Sequence, residues 1–257
     1  MELRCINLPI SPHDILTPMS VNLSIVIPTK NEETYLPHLL QSIKQQTLQP
    51  FEVIVADADS TDSTVEVARS FHAQVVKGGM PSVGRNRGAQ AAHGDLLLFL
   101  DADVVLQDET FLKKAIQDFT QKNLDIATVD VSPINGTSFD HFAHWLYNKY
   151  VRLLGRLHPH APGFCILVKA DLHKKLHGFD EEIVFCEDHD YVYRANKLAC
   201  FGFLEKELVI PVSTRRLERD GRMVISLKYI LAELHILFLG PIKHDFFNYQ
   251  FGHKQRR

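Results

Sequence analysis

The chain has 257 residues, 45% of them hydrophobic and 23% charged, with a formal net charge of −3. This suits one globular domain with additions, and the slight acidic excess argues against a nucleic-acid partner. Four cysteines, Cys5, Cys165, Cys186 and Cys200, lack CxxC spacing, which argues against a zinc site or a disulfide framework; reduced thiols in a cytoplasmic protein are the expectation.

Residues 1–21 carry Pro9, Pro12 and Pro18 and read as an irregular leader. They lack the basic start and apolar run of a secretory signal, and Met19 is an alternative start. Leu23 to Ile27 is a short apolar run ending at Pro28, the pattern of a buried parallel strand. Leu36, Leu39, Leu40 and Ile43 then recur at helical spacing. A second strand is predicted from Phe51 to Ala56, a helix from Thr61 to Phe71, and a short strand over residues 74–76. After a loop with Gly78, Gly79 and Pro81, a helix is predicted over residues 82–92. Leu96 to Leu100 is the most apolar strand. A helix near 109–119 and a strand near 125–129 complete the alternation. The second half is less regular: a helix near 139–150, a loop over 158–163, a strand at 164–168, a short helix at 171–176 and a helix opening at Glu187.

Alternating strands and helices predict a doubly wound, mostly parallel sheet, with ligands bound beyond the carboxyl ends of its strands. Polar residues cluster at those ends: Thr29-Lys30-Asn31-Glu32, Asp57-Ala58-Asp59 and Asp101-Ala102-Asp103. Asp101 and Asp103 leave a wholly apolar strand two residues apart, so both carboxylates can turn towards one hard cation, Mg²⁺ or Mn²⁺. Asp57 lies ahead of the helix cap at Ser60-Thr61-Asp62 and is free for ligand contact. Gly84-Arg85-Asn86-Arg87-Gly88 sits at a helix start, where an arginine fork and the helix terminus both favour phosphate. His158, His160 and His189 read as structural or solvated rather than as ligands.

The segments Ile25 to Glu32, Val55 to Thr64, Gly84 to Gly88, Leu98 to Asp103, Gly178 to Glu181 and Glu187-Asp188 resemble, in order and spacing, the family 2 glycosyltransferases of the GT-A fold. The resemblance covers roughly residues 22–200. It implies an inverting enzyme that moves a sugar from a nucleotide-diphosphate sugar to an acceptor hydroxyl. Pro28, Thr29, Asn31 and Glu32 would line the nucleotide pocket, Asp57 would bind the base, and Arg85 would touch the nucleotide. Asp101 would face the ribose and the metal, and Asp103 would hold the Mn²⁺ or Mg²⁺ that bridges the diphosphate. Asp188 would be the general base, with Glu187 beside it. Arg215 and Arg216 fall where relatives carry an arginine-rich segment near the diphosphate. The second strand ends Asp57-Ala58-Asp59 where relatives commonly show two aspartates and a glycine, so UDP and GDP donors both stay open.

The expected layout is a leader at 1–21, a catalytic domain at 22–220 and a helical extension with a tail at 221–257. In the extension, Leu227, Ile230, Leu231, Leu234 and Phe238 form a helical stripe stopped by Gly240-Pro241. It suits either a helix packed on the core or an interfacial helix, the latter helped by Phe246, Phe247, Tyr249, Phe251, Lys254, Arg256 and Arg257. The acceptor is a glycan, a lipid-linked molecule or a small molecule, and peripheral contact with the inner face of a membrane fits the interfacial reading. Two alternatives are a non-catalytic nucleotide-sugar-binding module and a sugar nucleotidyltransferase. The second would carry a glycine-rich basic loop after the first strand, where this chain has Pro28 to Glu32.

Overall fold

The computed structural model describes residues 21–155, 157–247 and 251–252. The leader expected over 1–21, apart from Val21, lies outside the described residues, as do Tyr249, Lys254, Arg256 and Arg257. In chain order the elements are β1 (Leu23–Thr29), α1 (Leu36–Lys44), β2 (Glu52–Asp57), α2 (Thr64–Ser70), β3 (Gln74–Lys77), α3 (Pro81–Ala91) and β4 (Leu96–Leu100). Then come α4 (Phe111–Gln121), β5 (Ile126–Thr128), β6 (Asp130–Ile134), α5 (Ser138–Leu154), β7 (Cys165–Lys169) and α6 (Ala170–Lys175). Last are α7 (Glu187–Leu198), β8 (Phe201–Phe203), β9 (Val209–Ser213), α8 (Arg215–Asp220) and α9 (Arg222–Leu239).

The main sheet has the order β3-β2-β1-β4-β7-β5-β8. β1 and β4 are buried along their whole length, which is why they read as continuous apolar runs. Core side chains lie on both faces: Leu36, Leu39 and Phe111 on one, Val26, Phe99, Tyr191 and Phe201 on the other. α3 lies close over β1, because a Cβ on Gly88 would meet Val26 Cγ1 at 2.3 Å. That close seat drives Arg85 and Asn86 into the protein, at 2% and 7% exposure.

β7 runs antiparallel between β4 and β5. The reason is where the chain enters: residues 157–164 cross the carboxyl end of β4, so Cys165 pairs with Leu100 and the strand runs back to Lys169 opposite Leu96. The segment expected as one strand at 125–129 leaves the sheet after Thr128. It continues as β6, which pairs in parallel with β9 in a separate two-stranded sheet. Pro133 and Pro211 sit in these two strands, and a proline is tolerated in so narrow a sheet because few ladder donors are needed. A bridge between Val104 and Val212 ties this small sheet to the segment just after Asp103.

α9 keeps its apolar stripe outside. Only Ile225 and Ala232 are buried, while Leu227, Ile230 and Phe238 are 56%, 58% and 75% exposed. The helix packs on the protein through a different face, with Ala232 and Ile236 against Phe185, Ile242 and Phe247 and with Tyr229 stacked on Phe185. Among the described residues no helix is long and apolar enough to cross a membrane. Cys165 and Cys186 are free and buried. Cys200 is disulfide-bonded, a departure from the expectation of reduced thiols.

Candidate active site

The carboxyl ends of β1, β2 and β4 converge with residues 157–164, the start of α7 and the start of α8. Arg85 is at the centre. Its Nη1 donates to Glu187 Oε1 at 2.5 Å, and its Nη2 donates to Asp101 Oδ1 at 2.8 Å and to the Gly163 carbonyl at 3.3 Å. Arg85, expected to touch the nucleotide, is here a buried pin. One guanidinium ties together the ends of β4, the 157–164 segment and α7. Asn86, the next residue of the same motif, clamps Phe179 through two backbone hydrogen bonds and reaches Glu181 Oε1 at 2.9 Å. The Gly84 to Gly88 motif and the Gly178 to Glu181 motif are therefore two sides of one structural contact.

Asp101 keeps 30% of its side chain open. Burial raises its pKa to about 7; Arg85 opposes the rise, and Asp103 and Glu187 add to it. Asp103 pairs with Arg215 Nε at 3.1 Å. The same guanidinium grips Glu32, with Nη1 at 2.7 Å from Oε2 and Nη2 at 2.9 Å from Oε1, and lies over the Tyr35 ring. Burial raises the pKa of Glu32, and Arg215 works against it. Arg215 thus joins two acids from separate strand ends, and α8 is docked through it. Arg216 hydrogen-bonds the Tyr229 side chain and acts electrostatically on Asp101.

The β1 and β2 ends are bound to each other. Asp57 accepts from Thr29 Oγ1 at 2.9 Å, from Ser60 N at 2.8 Å and from Ser60 Oγ at 2.5 Å. Asn31, in the left-handed region at φ 55°, donates its N–H to Ser60 Oγ and accepts from Thr61 N. Pro28 is buried in β1 opposite Ala56. Asp57, expected to be free for ligand, has both oxygens engaged by its own loop and is 6% exposed. Thr29 and Glu32 are likewise buried.

Three acids open α7, and their partners separate them. Glu187 is held by Arg85. Asp190 is held by Arg194 Nε at 2.7 Å, whose other nitrogens donate to the Leu176 and Gly178 carbonyls. Among the described residues Asp188 has no guanidinium at bonding distance; it accepts backbone N–H groups from His189, at 2.9 Å, and from Gly163. Burial raises its pKa, while Arg85 and those backbone donors lower it. A Cβ on Gly163 would stand 2.8 Å from Arg85 Nη2 and 3.0 Å from Asp188 Oδ2, so only glycine leaves room there. Cys186, just before the three acids, sits in the left-handed region at φ 60°, which turns α7 into the site.

Tyr35, Gly163, Arg194 and Glu233 belong to this neighbourhood and were not picked out from the sequence. Glu233 carried a signal: it is the one acid in α9. Arg194 also carried one, four residues after Asp190 on a predicted helix.

The sequence matches the family model described as Glycosyl transferase family 2 over residues 24–177. The 4,4'-diaponeurosporenoate glycosyltransferase of Staphylococcus haemolyticus is 38% identical over 110 residues, 39% of this chain and 29% of that protein. Poly(ribitol-phosphate) beta-N-acetylglucosaminyltransferase TarS of Staphylococcus aureus is 29% identical over 126 residues, 45% of this chain and 22% of TarS. The chain thus spans less than a third of the length of these relatives. Among solved structures, S. aureus TarS 1-349 in complex with UDP superposes with a TM-score of 0.62, at 22% identity, over 75% of this chain and 60% of that one. Mannosyltransferase PcManGT from Pyrobaculum calidifontis in complex with GDP-Man and Mn²⁺ gives 0.58 at 18% identity, over 74% and 56%. At such identities the likeness is one of fold, and it agrees with the doubly wound architecture expected from the sequence.

Proposed function

Because the chain belongs to glycosyl transferase family 2, we propose that it is an inverting glycosyltransferase that moves a sugar from a UDP- or GDP-sugar to an acceptor hydroxyl. The observation that carries the reading is the sorting of acids at α7. Glu187 and Asp190 are each committed to an arginine, and among the described residues Asp188 is left facing the site with backbone donors and His189, at 4.0 Å. A base must be ionised, oriented and able to accept a proton. Two backbone N–H donors orient the Asp188 carboxylate, and burial raises its proton affinity.

Asp101 and Asp103 offer an all-oxygen donor set at the end of β4, which suits Mg²⁺ or Mn²⁺. Bound there, such an ion would offset charge on the leaving diphosphate. PcManGT, solved with GDP-Man and Mn²⁺, supports this assignment by analogy of fold. Arg215 and Arg216 sit beside the two aspartates and would add positive charge to the same group. Thr29, Asn31, Glu32 and Asp57 form the rigid wall against which we place the nucleotide. Arg85 acts as a positioning residue: it fixes the distance between the β4 acids and α7. We assign this chemistry to residues 22–220 and acceptor-side contacts to the remainder.

We also propose peripheral membrane contact and a lipid-linked acceptor. α9 exposes Leu227, Ile230 and Phe238, and α5 exposes Phe142 and Trp145, stacked on each other, at 57% and 54%. Arg222 joins the two helices by an ion pair with Asp140. Aromatic and aliphatic side chains on neighbouring helices suit an interface.

The test is a panel of UDP- and GDP-sugars incubated with the protein and Mn²⁺, scored for transfer and for slow hydrolysis, followed by Asp188→Asn and Asp190→Asn. Asp188→Asn is expected to slow turnover by about 10²–10⁴-fold with donor affinity nearly intact. An inactive Asp190→Asn beside a near-normal Asp188→Asn would reassign the base, and no donor bound under any condition would sink the enzyme reading.

A further inference from the structure

His158, His160, His189 and Glu233 come from three parts of the chain and meet beside Asp188. His158 and His160 lie between α5 and β7, His189 follows Asp188 in α7, and Glu233 is in α9. One ligand atom from each of His158, His160 and Glu233 lies within 4.8 Å of the others. His160 Nε2 is 2.8 Å from Glu233 Oε2, and His189 Nδ1 is 3.4 Å from Glu233 Oε1.

The hydrogen bonding of His160 is specific. Its Nδ1 is 2.7 Å from the His158 carbonyl oxygen. A carbonyl only accepts, so the Nδ1 hydrogen points there. In the neutral ring Nε2 then carries a lone pair, and it faces a carboxylate, which also only accepts. Two lone pairs at 2.8 Å need a cation between or beside them, either a second ring proton or a metal. His189 supplies an independent sign: its Nδ1 is buried and has no hydrogen-bond partner among the described residues, although it is aimed at the same Glu233. The contact of His160 Nδ1 with a backbone carbonyl is also the usual outer-shell arrangement of a metal-binding histidine.

We propose that His158, His160 and Glu233, with His189 as fourth donor, form a Zn²⁺ site separate from the carboxylate pair at β4. Imidazole donors favour Zn²⁺ and its neighbours in the first transition row, whereas Asp101 and Asp103 favour Mg²⁺ or Mn²⁺. In a tetrahedral Zn²⁺ site with bonds of about 2.0–2.2 Å, ligand atoms lie about 3.3 Å apart. The ligand atoms of His158, His160 and Glu233 straddle that spacing and reach it by side-chain shifts of about 1.5 Å or less, and His189 Nδ1 lies 3.4 Å from Glu233 Oε1. His158 is half-buried and gives an entry path. The cysteine spacing had argued against zinc, and this set contains no cysteine. The ion would staple α9, which otherwise buries only Ile225 and Ala232, to the residues that carry Gly163 and Asp188.

The test uses the whole chain, free of any affinity tag and stripped with chelator. Co²⁺ is titrated by visible absorption, and Zn²⁺ by competition with a chromophoric chelator. One Zn²⁺ equivalent is expected, with the visible bands of four-coordinate Co²⁺ and no displacement by Mn²⁺. His160→Gln and Glu233→Gln are each expected to weaken it by roughly tenfold or more, and Asp103→Asn to leave it unchanged. His158→Gln is the variant least exposed to folding failure; Zn²⁺ should raise the melting temperature of the parent and not of this variant. Binding indifferent to these substitutions, binding lost with Asp103→Asn, or no Zn²⁺ binding overturns the proposal, the last making His160 and Glu233 a simple imidazolium–carboxylate pair.

Discussion

Replacing Arg85 with methionine tests the central feature of the site. The guanidinium is 2% exposed and satisfies Glu187, whose side chain is 10% exposed, and Asp101, at 30%. Methionine fills much of the volume and can rest on Phe179, whose ring lies 5.4 Å from the guanidinium carbon. It supplies no charge. Removing one partner of a buried ion pair costs about 3–5 kcal/mol, because the other charge stays buried and unpaired. Asp101 can turn its open third to water, so most of the loss falls on Glu187. A loss of about 3–5 kcal/mol is a large part of the roughly 5–15 kcal/mol that keeps a domain folded. Urea midpoints at constant m are the assay. Arg85→Lys should be intermediate, since one ammonium cannot serve both carboxylates at their present spacing. Adding Glu187→Gln to Arg85→Met should recover part of the loss, because the orphan charge is gone. If Arg85→Met costs under about 1 kcal/mol, or the two changes simply add, the pin does not hold the site together.

Asp103→Ala should remove any Mn²⁺-dependent part of UDP or GDP affinity while the fold survives; calorimetry with and without Mn²⁺ checks it. His173 hydrogen-bonds the Tyr191 hydroxyl, near Arg194, and burial lowers its pKa from 6.5 to about 4. Above about pH 6.5 the folded and unfolded chains both hold it neutral; between about 6.5 and 4 the unfolded chain is protonated first, so stability falls, by at most about 3 kcal/mol, a slope that His173→Gln should flatten in urea melts. The chain should co-sediment with anionic phospholipid vesicles, and Ile230→Glu with Leu234→Glu should release it; no sedimentation of the parent would remove the membrane reading.

The alternation of strands and helices through β4 was legible because β1 and β4 are buried on both sides and each ends in polar residues. The small sheet was not legible. β6 and β9 are separated by some 75 residues, each contains a proline, and neither has a pattern that names its partner. β8, with three residues, is shorter than a periodicity can register. The positions of Asp101, Asp103 and Asp188 around the site were readable as motif residues at element ends. The partners of Arg85 and Arg215 were not. A short-range pattern places arginines at helix starts, where phosphate is the natural inference, but Glu32 and Arg215 are 183 residues apart and meet only through the fold. The same gap explains Asp57, whose own loop turns back on it.

The balance of charge in the site favours a role for added cations. Glu32, Asp101, Asp103, Glu187 and Asp188 converge there, against Arg85, Arg215 and Arg216. Five acids against three arginines leave an acidic excess before any donor enters, and a diphosphate would enlarge it. Asp101 already shows the strain, with a pKa near 7 driven by burial and two neighbouring carboxylates. Arg85 cannot swing out to help, because it is spent on Glu187, Asp101 and the Gly163 carbonyl. Arg215 can, because its side chain is 22% exposed and it sits on a short helix after β9. Moving it towards a diphosphate, however, frees both Glu32 and Asp103. A divalent ion held by Asp103, on the proposed reading, would take up only one of the two freed charges; Glu32, 2% exposed, would stay buried and unpaired, so its grip opposes the release of Arg215.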